Sequence, residues 1–473
     1  MVSRRASRRG RLVGAVLLVA GCANDVAGVG RAVRPEIEDA AVQAGPNNVL
    51  SAVVSARLSH ADSATVSFRL DEAAAYENVT PAVTILDGSV SMLPVLGLIP
   101  DRRYLLHITA YGKGGTVFGS QLTFTTGVLP SDLPSYTASG VDPSPGYLVF
   151  ASGRYGLVID NSGRVVWYRY FANGAGLNFM VQSTGRYFVH PSTPEVSDLE
   201  PWLELDPLGD VVRTFGCAGK LQSRFHDLIA RSDGTYWIMC DETRTMDLST
   251  LGGSANARVT GTVVQHIGAD GALLVEWSPF DHFAVADLDS VDRVGANVNW
   301  THGNALDLDV DGNVIVSFRS LNEITKIDAA NGAVIWRMGG QANQFTFLDT
   351  PLPAFSHQHG ARLYSGDTLL ILDNLGNSNE SRAERYVVDQ IGKTARLVQS
   401  YGSTPPVITQ IGGSVQALPG ERTIVSFGTT GRVEEYDATG RLMWHIDGNA
   451  GYVFRAQRIR SLYAPMAVFS TRR

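Results

Sequence analysis

The C-terminal part of the chain repeats a unit of about 50 residues, and such a repeat constrains the architecture before any single motif is considered. Each unit has an apolar run, a Gly-containing turn, a second apolar run, a segment that enters D-x-x-G and a segment containing Trp. Two copies are GNALDLDVDGNVIVSFRSLNEITKIDAANGAVIWRMG and GSVQALPGERTIVSFGTTGRVEEYDATGRLMWHIDG. Units begin near Gly146, Asn178, His226, His302, His359 and Gly413. Four short antiparallel strands per unit, repeated six times, predict an all-β chain with a six-bladed β-propeller over residues 140–473.

The N-terminus has the features of an export signal. The basic stretch MVSRRASRRGR precedes LVGAVLLVA, an apolar run too short to cross a bilayer as a mature helix. Residues 1–22 are therefore predicted to be a signal peptide. It ends in VAGC, which resembles the bacterial lipobox and implies cleavage before Cys22 and lipidation of that cysteine. The expected location is the periplasmic or outer face of a bacterial membrane, with the lipid as anchor. Cleavage by the ordinary signal peptidase, with Cys22 playing no part, is the alternative.

Two further segments precede the repeat. Residues 23–47 are rich in Gly, Ala and Val with little periodicity, which favours a flexible tether. Residues 48–128 contain short β-branched and aromatic runs separated by turn residues, which predict a small antiparallel β-sandwich. This sandwich is similar to a fibronectin type III module.

Charge and cysteine content limit the function and the compartment. The formal net charge is -7 at pH 7, which argues against a general nucleic-acid binder because such a protein needs a basic surface. An anionic ligand would therefore have to be met by a local positive site. Apart from Cys22, the cysteines are Cys217 and Cys240. They are enough for one disulfide in an oxidising compartment, and two buried free thiols are the alternative.

Histidines stand at corresponding places in three units. The segments FHDLIARSDG, THGNALDLDVDG and QHGARLYSGD carry His226, His302 and His359. In a propeller the first strand of each blade lines the central channel, so we expect these side chains to converge at one mouth. A catalytic site is one interpretation, and a hydrogen-bonding ring that holds the channel together is the other.

Second strands of these units should run back to the same mouth. They would end on Arg319, Asp241 and Asn374. Three histidines can bind zinc, but an arginine beside them opposes a cation and favours an anion with several oxygens. We therefore expect an anion site and no metal.

Four segments resemble one known family. WTHGNALDLD, SFRSLNEITKID, VIWRMGG and FSHQHGARL with LLILDN are similar to the arylsulfate sulfotransferases, bacterial periplasmic enzymes, and the resemblance extends over roughly residues 140–470. It implies a six-bladed propeller behind an N-terminal β-sandwich. It also implies sulfuryl transfer from a phenolic sulfate donor to a phenol acceptor, through a sulfated histidine in a ping-pong mechanism and without a cofactor.

The resemblance assigns roles to individual residues. His359 matches the nucleophile, His226 and His302 match the two assisting histidines, and Arg319 matches the sulfate-binding arginine; we place Asn374 with Arg319 as substrate-binding. His357 lies two positions before His359, and residues two apart in a strand face the same side. Either histidine could reach the ligand, and we favour His359.

Other functions are compatible with a propeller. One is a non-catalytic lipoprotein that binds a ligand or partner at the channel mouth. Another is an aryl sulfatase that uses water as the acceptor, and a third is a quinone-dependent dehydrogenase. The fold alone does not decide among them.

Overall fold

The computed structural model describes residues 32–447 and 451–466. The predicted signal peptide, Cys22 and the first part of the predicted tether lie outside the described residues. Among the helical turns described, none is long and apolar enough to cross a membrane. These turns are short 3-10 segments at Ser249–Leu251, Pro279–Asp281, Val285–Asp287, Ser290–Asp292 and Pro419–Glu421.

Nine strands form the N-terminal part of the described chain. They are β1 (Glu36–Ala44), β2 (Ser51–Ser59), β3 (Ser63–Leu70), β4 (Asn78–Val79), β5 (Val83–Thr84), β6 (Ser89–Leu96), β7 (Arg103–Gly112), β8 (Gly115–Phe118) and β9 (Leu122–Thr125). One sheet has the order β1-β2-β6; the other has β4-β3-β7-β8, with β5 on β3 and β9 on β7. Their apolar faces share one core that includes Val54, Leu93, Val66 and Leu106.

The predicted tether is wrong for the residues of β1. This strand pairs antiparallel with β2, and Ile37, Ala40 and Val42 pack against the core of the two sheets. The segment EIEDAAVQA has few β-branched residues and a register shift after Glu38, which weakens the alternation that marks a strand.

The remaining strands follow in chain order. They are β10 (Thr137–Gly140), β11 (Tyr147–Ser152), β12 (Tyr155–Ile159), β13 (Val165–Tyr170), β14 (Phe179–Val181), β15 (Tyr187–Val189), β16 (Trp202–Leu205), β17 (Val211–Phe215), β18 (Gln222–Ala230), β19 (Tyr236–Met246), β20 (Ala257–Ile267), β21 (Leu273–Trp277), β22 (Asn297–Asn299), β23 (Gly303–Leu308), β24 (Val314–Phe318), β25 (Glu323–Ile327), β26 (Val334–Gly339), β27 (Thr346–Leu348), β28 (His359–Tyr364), β29 (Thr368–Asp373), β30 (Arg382–Asp389), β31 (Thr394–Gly402), β32 (Ser414–Leu418), β33 (Arg422–Ser426), β34 (Val433–Tyr436), β35 (Leu442–Asp447) and β36 (Ala456–Ile459). The prediction of an all-β chain is confirmed.

These strands build six sheets whose core strands pair antiparallel. Their orders are β36-β11-β12-β13, β14-β15-β16-β17, β18-β19-β20-β21, β23-β24-β25-β26, β28-β29-β30-β31 and β32-β33-β34-β35, with β22, β27 and β10 added to the third, fifth and sixth. We call the first strand of each order its inner strand. The first sheet takes its inner strand, β36, from the C-terminal end of the chain, which joins the two ends of the repeat region.

The inner strands surround a cavity of about 550 Å³. All six contribute lining residues, among them Val181, Leu228, Leu306, Tyr364, Gln416 and Gln457. Polar side chains tie each inner strand to the next. Asn178 Nδ2 donates to the His226 carbonyl oxygen at 2.7 Å, Asp227 Oδ2 accepts from Leu306 N at 3.0 Å, and Asp307 Oδ2 accepts from Leu363 N at 2.8 Å.

The D-x-x-G motif of the repeat forms a turn that its Asp side chain and its glycine stabilise. In Asp437–Gly440 the carboxylate accepts from the backbone N–H groups of Thr439 and Arg441 at 2.9 and 3.0 Å, and Gly440 has φ 83°. An Asp side chain can cap such a turn, and the left-handed backbone favours glycine.

A tryptophan that recurs in the repeat links neighbouring sheets. Trp167, Trp336 and Trp444 are buried, and each indole Nε1–H donates to the residue that follows the Asp of a D-x-x-G turn in the neighbouring sheet. The acceptors are Pro207 O at 2.8 Å, Gln390 Oε1 at 2.9 Å and Asn161 O at 2.9 Å. In these three cases the turn of one repeat satisfies the buried indole N–H of its neighbour.

Candidate active site

Three neighbouring inner strands bring the predicted histidines together. His226 lies in β18, His302 directly precedes β23 and His359 is the first residue of β28. The ring centroids of His226 and His302 are 5.0 Å apart. The Phe454 ring lies 5.7 Å from that of His226 and 6.2 Å from that of His359. The imidazoles of His226 and His359 therefore both lie beside Phe454, and that of His302 lies beside His226.

Both ring nitrogens of His359 have hydrogen-bond partners. Nδ1 lies 2.9 Å from Asn374 Oδ1 and 3.0 Å from the His357 carbonyl oxygen, so Nδ1 carries the proton and donates. Nε2 accepts from Gly412 N at 3.2 Å. Burial lowers the pKa of His359 to about 4, against the opposing hydrogen bond with Asn374. The side chain is thus a neutral imidazole at pH 7, with its lone pair on Nε2.

His302 is held in an unusual backbone conformation. Its φ is 48°, in the left-handed region that is uncommon for residues other than glycine. Its Nδ1 accepts from Asn299 Nδ2 at 2.6 Å, which leaves the proton on Nε2. Its carbonyl oxygen accepts from Arg319 N at 3.0 Å, which places Arg319 beside it.

His226 is 4 % exposed and lies between aromatic rings. The Phe225 ring stacks on it with centroids 4.1 Å apart, and Phe454 approaches it edge-on. Its Nδ1 has no hydrogen-bond partner among the described residues. The position of this imidazole is therefore set by packing and by the backbone of β18.

Burial is the main cause that lowers the pKa values of His226 and His302, and Arg224 is the next. The pKa of His302 falls to about 2 and that of His226 falls well below its usual range. Arg319 lowers the pKa of His302 further. These imidazoles are therefore neutral at pH 7, and positively charged arginines contribute to that state.

Arg319 directly follows β24, as expected for the end of a returning strand. One guanidinium nitrogen, Nη2, donates to the Gln410 carbonyl oxygen at 3.1 Å. Nε is buried and has no hydrogen-bond partner in the described part of the chain. Two N–H groups on one edge of a guanidinium match two oxygens of an anion, and one of them is unused here.

Asn374 does not have the surroundings that we expected. It is fully buried, Oδ1 accepts from His359, and Nδ2 donates to the carbonyl oxygens of Thr409 and Gly412 at 3.0 Å each. All of its hydrogen-bonding groups are used inside the protein, so its amide orients His359 instead of contacting a substrate.

His357 and His359 do not share a strand face. The strand begins at His359, and His357 lies before it with φ 55°. His357 Nδ1 is 2.8 Å from Ser356 Oγ, and its backbone N donates to Asn322 Oδ1 at 2.8 Å. The expectation that residues two apart in a strand face the same side therefore does not apply here. Of the two histidines, His359 is the one that interacts with Asn374 and Gly412.

The sequence analysis missed Arg224 and placed Asp241, its ion-pair partner, at the wrong point of its strand. Asp241 lies inside β19, not at its end, and its Oδ1 is 3.0 Å from Arg224 Nε. Arg224 stands two residues before His226, and only the adjacency of a basic residue to a candidate histidine could have drawn attention to it. Gly412 and Phe454 carry no motif that would have marked them.

Two other features bear on the chemistry. Within residues 32–447 and 451–466, no three His, Cys, Asp or Glu side chains are arranged as metal ligands. A disulfide joins Cys217 and Cys240, the pairing that we considered, across a separation of 23 residues.

Comparison with solved structures gives only weak likenesses. A protein of unknown function from Bacteroides caccae has 10% identity and a TM-score of 0.43, covering 66% of this chain and 98% of its own. A catalytically inactive virginiamycin B lyase from Staphylococcus aureus with quinupristin has 12% identity and a TM-score of 0.36, covering 66% and 88%. An auxiliary nutrient binding protein from Bacteroides ovatus has 11% identity and a TM-score of 0.36, covering 89% and 87%. We draw no conclusion from these likenesses.

Comparison with families is more informative. No curated protein matches the chain. A family model described as Arylsulfotransferase (ASST) matches residues 219–449, and the matched segment contains His226, His302, Arg319 and His359. Through this segment the chain belongs to the arylsulfotransferase (ASST) family.

Proposed function

We propose that this protein is an arylsulfate sulfotransferase that moves a sulfuryl group from a phenolic sulfate to an acceptor phenol through a sulfated His359. The observation that carries the proposal is the tautomer of His359. Asn374 Oδ1 and the His357 carbonyl oxygen accept hydrogen bonds from His359 Nδ1–H. Burial keeps the ring neutral, so the lone pair stays on Nε2. A neutral imidazole of fixed tautomer is a competent nucleophile near pH 7.

Arg319 is the anion-binding group in this proposal. Nε is buried and has no hydrogen-bond partner among the described residues, so it is the free donor for an oxygen of the sulfate ester. The adjacent Nη2 donates to Gln410 and can turn its second N–H to a further sulfate oxygen. The Gly412 N–H that now contacts His359 Nε2 has to release that lone pair before attack. The N–H then lies beside the arriving sulfuryl oxygens, where a backbone donor stabilises negative charge.

The transfer proceeds in two displacements. His359 Nε2 forms a bond to sulfur while the bond from sulfur to the phenolic oxygen breaks, and the phenolate leaves with that electron pair. A proton reaches the phenolate from His226 or His302. The acceptor phenol then loses its proton to the same histidine and attacks sulfur, and the bond from nitrogen to sulfur breaks. Positioned acid–base groups contribute about 10²- to 10⁴-fold to such steps.

Protonation of His226 or His302 depends on the donor. Burial and the charge of Arg224 keep both imidazoles neutral. A bound sulfate ester is an anion, and a nearby negative charge raises the pKa of an imidazole. Donor binding therefore supplies the condition under which one of these histidines carries the proton that the phenolate needs.

The same proposal covers architecture and location. The six sheets with contacting inner strands support a six-bladed β-propeller, and the two N-terminal sheets support a fibronectin type III-like sandwich. We further propose export and lipid anchoring through Cys22. A disulfide between Cys217 and Cys240 is consistent with an oxidising compartment.

The test is an assay with a chromogenic aryl sulfate, with and without an acceptor phenol. We expect release that depends on the acceptor, parallel lines in initial-rate plots, and one added sulfuryl mass on intact protein treated with donor alone. His359→Ala should neither gain that mass nor turn over. The matched control His357→Ala should do both.

Each contrary result has a definite meaning. Equal release without acceptor would identify a sulfatase, and no release would favour a ligand-binding protein. A sulfated His359→Ala variant would place the nucleophile elsewhere. Intersecting lines without an adduct would exclude the covalent intermediate.

A further inference from the structure

A second arginine, Arg224, lies in β18 two residues before His226. The Arg224 guanidinium pairs with Asp241 at 3.0 Å, and the two side chains are 17% and 19% exposed. Arg224 Nη2 is buried and has no hydrogen-bond partner among the described residues. The backbone is fixed at this point, because Trp202 Nε1 donates to the Arg224 carbonyl oxygen at 2.9 Å. The ion pair thus leaves part of the guanidinium unused.

The two arginines act on different histidines. Arg224 lowers the pKa of His226 and of His302, whereas Arg319 lowers that of His302 and of His359. Both arginines thus act on His302. Arg319 donates to the Gln410 carbonyl oxygen, two residues before the Gly412 that contacts the nucleophile, whereas Arg224 stands two residues before His226 in β18.

The aromatic side chains indicate where the aryl group of the donor lies. Phe225 and Phe454 flank His226, with centroids 4.1 and 5.7 Å from its ring. Aromatic rings pack favourably at such distances. In a displacement at sulfur the leaving oxygen departs opposite the nucleophile, so the phenolic oxygen leaves from His359 toward His226 and His302. Negative charge then develops near Arg224.

We propose that Arg224 stabilises the departing phenolate and thereby determines which phenols the enzyme can use, an inference that rests on the proposed sulfotransferase function. Asp241 reduces the positive charge available to the phenolate by pairing with Arg224. The pair thus sets the highest pKa that a phenol can have and still act as a leaving group. Because attack by the acceptor is the reverse of that step, the pair also sets the highest pKa of a usable acceptor phenol.

The experiment compares donors that differ only in the leaving phenol. A series of para-substituted aryl sulfates, with phenol pKa values from about 7 to about 10, is assayed with one acceptor at saturation. The logarithm of kcat/KM for the donor is plotted against the phenol pKa. For Arg224→Gln we expect a loss of about 10- to 100-fold with the least acidic phenol and less than about threefold with the most acidic, and hence a steeper slope.

Companion variants separate charge from structure. Arg224→Lys should restore part of the wild-type slope, and Asp241→Asn should make the slope shallower than in wild type. Arg231→Gln is the matched control, because this arginine follows β18, pairs with Asp233 and is 45% exposed. It should keep the wild-type slope. If Arg224→Gln does not fold, the double variant Arg224→Gln/Asp241→Asn removes both charges together and should show the steep slope.

The outcomes distinguish the two proposals. A uniform loss with every donor in Arg224→Gln would show that Arg224 only supports the fold. An unchanged slope in Asp241→Asn would show that Asp241 does not control the charge that Arg224 offers, and in both cases the sulfotransferase function would stand. Wild-type protein without acceptor-dependent release, or fully active His359→Ala, would overturn the proposed function and this inference with it.

Discussion

Burial of the His359 imidazole should make the folded protein sensitive to acid. The pKa of this group is lowered to about 4 by burial, whereas a histidine in an unfolded chain titrates near about 6.5. Below pH 6.5 the unfolded chain binds a proton that the folded chain does not bind. The free energy of unfolding that His359 contributes is therefore complete above about pH 6.5 and is lost as the pH falls toward about 4.

The size of the effect follows from these values. Between pH 7.5 and 5.0 the loss extends over about 1.5 pH units, which at about 1.4 kcal/mol per unit gives about 2 kcal/mol. The pKa of His302 falls to about 2, so this group loses a similar amount and the two together cost about 4 kcal/mol; the pKa of His226 is also lowered by burial, which adds to the loss. That is a large part of the roughly 5–15 kcal/mol that stabilises a typical folded protein.

The assay is urea unfolding at pH 7.5 and 5.0, followed by tryptophan fluorescence. His359→Gln removes the titrating group, so the difference between the two pH values should shrink by about 2 kcal/mol relative to wild type. His445→Gln, at an exposed histidine paired with Asp447, is the control and should keep the wild-type difference. Equal pH dependence in wild type and His359→Gln would refute the idea that His359 is buried as a neutral imidazole.

Four further outcomes are expected. Arg319→Lys should lose about 10²-fold in kcat/KM because lysine keeps the charge but not the two-donor fork; nearly wild-type kinetics would remove Arg319 from the site. Reduction of the Cys217–Cys240 disulfide should lower the free energy of unfolding by about 3 kcal/mol, and quantitative labelling of two thiols in unfolded, unreduced protein would contradict the bond. Asn374→Leu should lower kcat more than it changes KM, because one of the two acceptors that hold His359 Nδ1–H is lost, whereas a change in KM alone would indicate a substrate contact. Donor binding near pH 6.5 should take up protons, measured by calorimetry in buffers of different ionisation enthalpy; no uptake would argue against protonation of a histidine on binding.

Much of the repeat region could be predicted from sequence because its bonds are local or periodic. The Asp of a D-x-x-G turn binds backbone groups within four residues, and three of the buried tryptophans donate their indole N–H groups to such turns in neighbouring repeats. Both elements recur at the period of the repeat. The convergence of His226, His302 and His359 follows partly from the same period, since His359 begins β28 and His302 directly precedes β23, whereas His226 lies within β18.

Other parts of the site could not be predicted from sequence, because no periodic pattern marks them. His302 and His357 adopt left-handed φ values of 48° and 55°, and nothing in the sequence distinguishes them from strand residues. Gly412 reaches His359 Nε2 from a loop 53 positions away. Arg224 stands in a segment where the pairing of β18 with β19 shifts register between Ser223 and Leu228, so strand alternation gave no prediction for its direction.

Residues of the candidate site are next in sequence to residues whose side chains join neighbouring sheets. Asp227, which follows His226, accepts from Leu306 N of the next inner strand and pairs with Arg362 at 2.7 Å and Arg455 at 3.1 Å. Arg455 follows Phe454 and also donates to the His226 carbonyl oxygen at 3.3 Å. Removing one member of such a buried set leaves an uncompensated charge, at a cost of about 3–5 kcal/mol. The His226 imidazole is therefore positioned by the bonds that close the ring of inner strands. A site fixed in this way keeps its geometry without a substrate, and electrostatic stabilisation of a developing charge requires such preorganisation.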